Sequence, residues 1–525
     1  MYSNISWFLA RGVFRTLTTY PDPEVDASEL VGDLATDTGT PNEDATQWSY
    51  TLREGITFGP SIGGRRVQGV TGRPITCADV KNGVERIFEP SVGAGYPFYY
   101  DVIEGADAYH SGDASEITGI ECRDDRSVVF HLVEPAADWP LRMAMPATSP
   151  VPRSVSKRSD LGPASKYASK VVFTGPYVVA ERKPGRSLRL ERNPEWDRAT
   201  DMARAAAFEG VDWTLGLTGD EGIKRTIGGD FDLALDLPAR GTRLERIVSD
   251  PQLLPRLVNE GEGCTRYLFL NTEVAPFDDP LVRRAVAFAV DRANLKRIFG
   301  GPVTGPVATS VIPPGLAGHL PASEYEPFPS EALAGDLDKA KRLMARAGYP
   351  DGYSKPVRIV GGASPPLNRI FDSVAADLRR LGFSHLVPLQ PPSSEEFSKY
   401  YARPSSQTAI GTSGGWCKDY PDPYSFVVPV LTKDGIQPTG SRNYANLTDP
   451  QLEAAVDAAS ETEPDAAARL WERVNRLATE TAAWIPWSWD ESSIVLGPRL
   501  KKAHYTPFLA QIDWVNASIK RARSS

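Results

Sequence analysis

Histidine, cysteine, long apolar runs and dense basic blocks are all scarce in this 525-residue chain. Its five histidines, His110, His131, His319, His385 and His504, lie far apart, with none of the H-x-x-x-H spacing that sets two imidazoles on one helix face. No metal site is expected. The four cysteines, Cys77, Cys122, Cys264 and Cys417, are also too widely spread for a zinc ligand pair, and they leave open either four buried thiols or three possible two-bridge pairings. No stretch approaches the roughly 18 apolar residues of a membrane span; "AVAFAV" from Ala285 to Val290 sits among arginines and an aspartate. Net charge is −9 and the lysines and arginines are scattered, so a nucleic-acid backbone has no basic surface to meet. The opening "MYSNISWFLARGVF" lacks the basic segment, apolar run and cleavage site of a secretory signal.

What is present reads as a globular α/β protein. The chain is 41% hydrophobic and 24% charged, and its length predicts two to four domains. In "ITCADVKNGVERIF", Thr76 caps a helix with Asp79 three residues on, and Val80, Val84, Ile87 and Phe88 share one face. The strands "QWSYTLREGITF", with a turn at Glu54-Gly55, and "SVVFHLV" flank it, giving a small α+β unit. "FTGPYVVAERKPGRSLRLERN" predicts a hairpin around Lys183-Pro184-Gly185. A strand from Tyr267 leads to Asp279 and Pro280 as cap and first helical residue, and one or two helices stop at Gly300. "PVRIVGG", a helix with Ile370, Val374, Leu378 and Leu381 inward, and "HLVPLQ" form a βαβ unit with a parallel pair. A helix through Leu470, Val474 and Leu477 is expected to break at Pro486 into an aromatic strand-like tail.

Enzyme signatures are weak. "GTSGG", Gly411 to Gly415, fits G-x-S-x-G with Ser413 as nucleophile, and His504 is the one histidine downstream. The elbow needs a helix directly after it, whereas two prolines interrupt "WCKDYPDPYSF", so a glycine-rich turn following a strand that ends near Ile410 is the preferred reading. A serine acyl hydrolase stays as a distant alternative. The acidic pairs Asp278-Asp279 and Glu395-Glu396 fit capping and solvated positions. No enzyme activity and no cofactor are expected.

The segment "GGWCKDYPDPYSF" carries more. Pro421 and Pro423 fix φ and hold Tyr420 and Asp422 extended, so the run is stiff. Trp416 and Tyr420 offer flat apolar walls and Asp419 an acceptor for a cation, a charge-assisted bond of about 1.5 to 3 kcal/mol in a dry site. The plainer reading puts Trp416 in the core and lets Asp419 cap a turn.

This segment, with "WSYTLREGITF", "PITCADVKNGVERIF", "FTGPYVVAERKPGRSLRLERNPEW" and "YLFLNTEVAPFDDPLVRRAVAFAVDRANL" in the same order, resembles family 5 of the extracytoplasmic solute-binding proteins of ABC transporters, the peptide and oligopeptide-binding family. The resemblance covers nearly the whole chain. It implies a two-lobed α/β fold of the periplasmic-binding-protein type (class II) with an extra α+β domain inserted in the first lobe. Residues 1–21, 171–264 and 484–525 would form the first lobe, 22–170 the inserted domain and 265–483 the second lobe. It further implies a monomer, extracytoplasmic and either lipid-anchored or periplasmic, that captures a di- or oligopeptide in an interlobe cleft by hinge closure and delivers it to an ABC permease. Asp419 would take the ligand's α-amino group and Trp416 would line a side-chain pocket, with Tyr420, Tyr267 and Asn271 bordering the cleft. Two disulfides are implied, Cys264–Cys417 and Cys77–Cys122. Members of the family begin with a signal peptide and an opening strand, so by this likeness the chain is expected to be truncated. Others in the family bind oligosaccharides, opines or metal chelates, and such a solute is the alternative to a peptide.

Overall fold

The computed structural model describes residues 4–23, 29–89, 97–156, 167–235, 237–362, 365–391, 394–438, 440–462 and 464–520. The chain forms two compact units: Met1–Ala239 with Pro251–Val258 and Ile494–Ser525, and Arg240–Asp250 with Asn259–Ser493. Among the described residues no helix is long and apolar enough to cross a membrane.

In the first unit, strands Thr40–Pro41, Gln47–Thr51, Ser127–His131 and Ile120–Cys122 make a four-stranded antiparallel sheet in that order. Trp48 stands opposite Phe130 and both are buried. The helix Cys77–Glu85 starts as its sequence predicts: Thr76 and Asp79 form a reciprocal capping box, and Arg73 braces the Asp79 carboxylate at 2.7 Å. Val80 and Val84 are fully buried, and Cys77, the first helical residue, is bonded to Cys122 at the end of its strand. The expected hairpin pairs Tyr177–Lys183 with Ser187–Arg192, closing at Lys183 opposite Ser187, and Gly210–Thr214 adds a third strand.

The second unit is built on a five-stranded mixed sheet, in the order Leu386–Leu389, Val357–Val360, Ile410–Cys417, Leu257–Leu270, Trp484–Val495. Its first two strands are parallel, and the helix Pro365–Leu381 crosses between them, as the βαβ pattern requires. Ile370, Val374, Leu378 and Leu381 are all buried. They pack with Leu268, Leu270, Val286, Leu295 and Trp487 in a continuous core. Two helices, not one, follow the long strand: Pro280–Ala289, whose first turn is capped by Asp279 accepting from Leu281 N at 2.7 Å, and Arg292–Phe299.

Three expectations are corrected. The helix Pro464–Glu480 ends before Pro486, and the chain turns at Ala482, with φ +51°, into a strand that begins at Trp484. Pro486 therefore lies inside that strand, which the sheet tolerates because the strand is at its edge. Second, Ile410 opens a strand, Ile410–Cys417, where a turn was expected. Glycines 411 and 414 are needed there because aromatic rings fill their side-chain positions: a Cβ would come within 1.9 Å of the Phe269 ring at Gly411 and 2.4 Å of the Tyr267 ring at Gly414. Ser413 thus sits in a strand interior, with no strand-to-helix elbow. Third, the proline segment does yield a helix, Pro423–Leu431, because Pro423 takes its first position and Asp422 caps it by accepting from Tyr424 N at 2.8 Å.

Candidate functional site

The residues singled out in the sequence gather in the second unit, where Leu257–Leu270 and Ile410–Cys417 run antiparallel. Cys264 faces Cys417, Thr265 faces Trp416, Arg266 faces Gly415 and Tyr267 faces Gly414. Alternation then puts Tyr267, Thr265, Gly414 and Trp416 on one side of the sheet, and Arg266, Cys264, Gly415 and Cys417 on the other. Cys264 and Cys417 are disulfide-bonded.

Beyond Cys417 the chain is held tightly. Lys418 N donates to Gly263 O at 3.1 Å, Tyr420 N donates to Ser425 Oγ at 3.3 Å, and that hydroxyl donates to Tyr420 O at 2.7 Å. Trp416 Nε1 donates to Ser425 O at 3.4 Å, which ties the indole to the start of the Pro423 helix. Asp419, Trp416, Tyr420, Tyr267 and Asn271 are all buried. The Tyr267 ring stacks on Trp484 with centroids 3.3 Å apart, and its hydroxyl has no hydrogen-bond partner among the described residues. Burial first, then the neighbouring Tyr444 and Tyr401, push that phenol well above its usual pKa, so it remains a proton donor. Asn271 commits its side chain to local structure: Nδ2 donates to Thr408 O at 3.0 Å and Oδ1 accepts from Glu273 N at 3.0 Å and from Asn446 Nδ2 at 3.2 Å.

The structure adds a charged cluster that carried no sequence signal, because its members are far apart along the chain. Arg266 Nε donates to Asp490 Oδ2 at 2.7 Å, Asp490 Oδ1 accepts from Ser488 Oγ at 2.9 Å, and Lys296 Nζ donates to Ser488 Oγ at 2.7 Å and Thr304 O at 2.9 Å. Glu262 lies 4.0 Å from Arg240. Burial, with Asp490 adding, pushes the Glu262 carboxyl up, against the pull of Arg240 and Arg266. Burial also pushes Lys296 and Lys418 down to about 8 each, opposed by Asp490 at Lys296 and by Glu262 at Lys418. Potential ligand atoms of Glu262, Cys264 and Cys417 lie within 4.8 Å of one another, but the two sulfurs are bonded together and offer no thiolate.

This chain belongs to the bacterial extracellular solute-binding proteins, family 5, whose "Middle" family model matches residues 29–438. Heme-binding protein A of Haemophilus influenzae is 24% identical over 476 residues, covering 89% of this chain and 80% of that protein. The periplasmic oligopeptide-binding protein OppA of Salmonella typhimurium is 23% identical over 425 residues, 79% of this chain and 71% of that protein. Among solved structures, clavulanic acid biosynthesis oligopeptide binding protein 2 superposes with a TM-score of 0.87 at 29% identity, covering 99% of this chain and 92% of the other. The fold is the α/β, two-lobed fold of the family's binding proteins, and the chain is a solute-binding protein, not an enzyme.

Proposed function

We propose that this protein captures a di- or oligopeptide outside the cytoplasm, by hinge closure of its two lobes on the ligand, and hands it as a monomer to an ABC permease for import. The observation that carries this reading is Asp419: a buried carboxylate in a segment fastened by the Cys264–Cys417 bridge on one side and by Ser425 on the other. A carboxylate already held in place needs little further ordering to accept a ligand's α-amino group. Trp416 and Tyr420 flank it, and Tyr267 offers a hydroxyl with no partner among the described residues. Asn271 supports the site by shaping the end of its strand. OppA, a relative named as an oligopeptide binder, supports the peptide class. The lobe boundaries are proposed at 1–21 with 171–264 and 484–525, and 265–483, with 22–170 inserted; the protein is lipid-anchored or periplasmic. A second reading, a non-peptide solute such as an oligosaccharide, opine or metal chelate, draws on the relative named as a haem binder.

Native mass spectrometry of the purified protein, followed by calorimetric titration with a mixed-sequence peptide library and with oligosaccharides, tests the proposal. Peptides are expected to bind, acetylation of the α-amino group to abolish binding, and Asp419→Asn to weaken it roughly 10- to 150-fold, matching about 1.5 to 3 kcal/mol for a charge-assisted bond. Binding of sugars alone, or indifference to acetylation, overturns it.

A further inference from the structure

Lys418 stands between the bridging Cys417 and the proposed anchor Asp419; the residue is 8% exposed and its side chain folds across the neighbouring strand. Gly263 makes room for it: its φ is +66°, and a Cβ there would lie 2.1 Å from the lysine Nζ. An ammonium carries three donors. Among the described residues, this one has a single acceptor, Glu262 O at 3.3 Å, and no ion pair; the Glu262 charge favours its protonated form only from longer range. With burial holding its pKa near 8, Lys418 is a cation at neutral pH. Burying a cation with most of its hydrogen bonds unmade costs several kcal/mol unless a partner arrives.

Lys418 directly follows the last strand residue, Cys417, and its N donates to Gly263 O at 3.1 Å, so its side chain lies over the neighbouring strand beside Glu262 and next in sequence to Asp419. The paired strand also carries the Tyr267 hydroxyl, which lacks a partner among the described residues. The geometry points to Lys418 as a specificity-determining residue that receives an anionic group of the solute, a carboxylate, beside the amino-group anchor Asp419. The inference rests on the solute-capture reading above and narrows it to ligands that carry an amino group and, close to it, a carboxylate, such as peptides with an acidic first residue.

The test is calorimetric titration of the full chain with Asp-Ala-Ala, Asn-Ala-Ala and succinate. Wild type is expected to prefer Asp-Ala-Ala by about tenfold or more, the ratio for a charge-assisted over a neutral hydrogen bond. Lys418→Met, which keeps an unbranched side chain of similar size, is expected to reduce that ratio below about threefold; Lys418→Gln serves if the methionine variant does not fold. Equal affinities in wild type, or a preference that survives in the variants, overturns the inference and leaves peptide capture standing. Binding of succinate alone, lost in the variants, keeps the anion site and removes the peptide reading. Binding of none of the three removes both.

Discussion

Each unit buries a cluster of charges, and the two clusters are built on opposite terms. In the first unit three arginines and three aspartates balance. Arg15 and Arg204 grip Asp33 at 2.6 and 2.7 Å, Arg204 reaches Asp201 at 3.2 Å, and Arg11 reaches Asp513 at 3.1 Å. Other donors go to the carbonyls of Thr200, Ala203 and Arg11 and to the Thr19 hydroxyl, and among the described residues Arg11 Nε and Asp513 Oδ1 have no partner. In the second unit four cations, Arg240, Arg266, Lys296 and Lys418, meet Glu262, Asp490 and Glu491, and Glu262 is pushed towards its neutral form. The Arg240 and Arg266 side chains stay 28% and 27% exposed. A balanced, sealed network can only hold structure together. A cluster with surplus positive charge and uncommitted donors has room for a charge from outside.

The largest expected effect would break this contrast if it failed. Asp33→Ala takes from the buried Arg15 its carboxylate and leaves the buried Arg204 with Asp201 alone, and should cost about 3–5 kcal/mol of unfolding free energy, read from urea denaturation. Glu262→Gln in the open cluster should cost about 1 kcal/mol or less, because that carboxyl is already driven towards neutrality. Equal losses would show that the clusters do not differ in kind.

A somewhat smaller effect sharpens the contrast by pH. Below about pH 8 both folded and unfolded chains hold the Lys418 proton, so the cost of burying the ammonium is present in full. Between about 8 and 10.5 the unfolded chain binds the extra proton, and stability rises with pH by about 3 kcal/mol from this group. Lys418→Met should therefore be more stable than wild type at pH 7, with the difference closing by about pH 10.5 in thermal or urea unfolding. A smaller pH effect runs the other way in the sealed network. Burial alone would raise Asp201, but Arg204 and Arg15 hold it down at about 2, so its contribution is intact above 3.8 and disappears as pH falls from 3.8 to about 2. That amounts to about 2 kcal/mol, and Asp201→Asn should flatten the acid limb of the stability curve by that much.

The same contrast explains what the sequence could reveal. Elements set by neighbouring residues were legible: the Thr76–Asp79 capping box, the Asp279-Pro280 helix start, and the βαβ unit with Ile370, Val374 and Leu378 inward. The run from Trp416 to Tyr420 could be singled out because it is contiguous. The strand Ile410–Cys417 was hidden because Gly411, Gly414 and Gly415 read as a turn until Phe269 and Tyr267 are seen to fill the space beside two of them. Pro423 read as a breaker although it begins a helix. Arg266, Lys296 and Asp490 meet, and Lys418 reaches Glu262, only once strands distant in sequence have paired, so no local pattern could announce them.

One consequence of that pairing concerns quality control. Cys264 and Cys417 stand opposite each other although 153 residues separate them along the chain. A slip of one residue would send Trp416 to the face now occupied by Arg266, and it would also turn the two sulfurs to opposite sides of the sheet, where they cannot bond. Oxidation is therefore an inspection of the fold: a molecule that closes this bridge has Trp416 on the same side as Tyr267, and one that has mispaired carries two free thiols as a chemical label of the mistake.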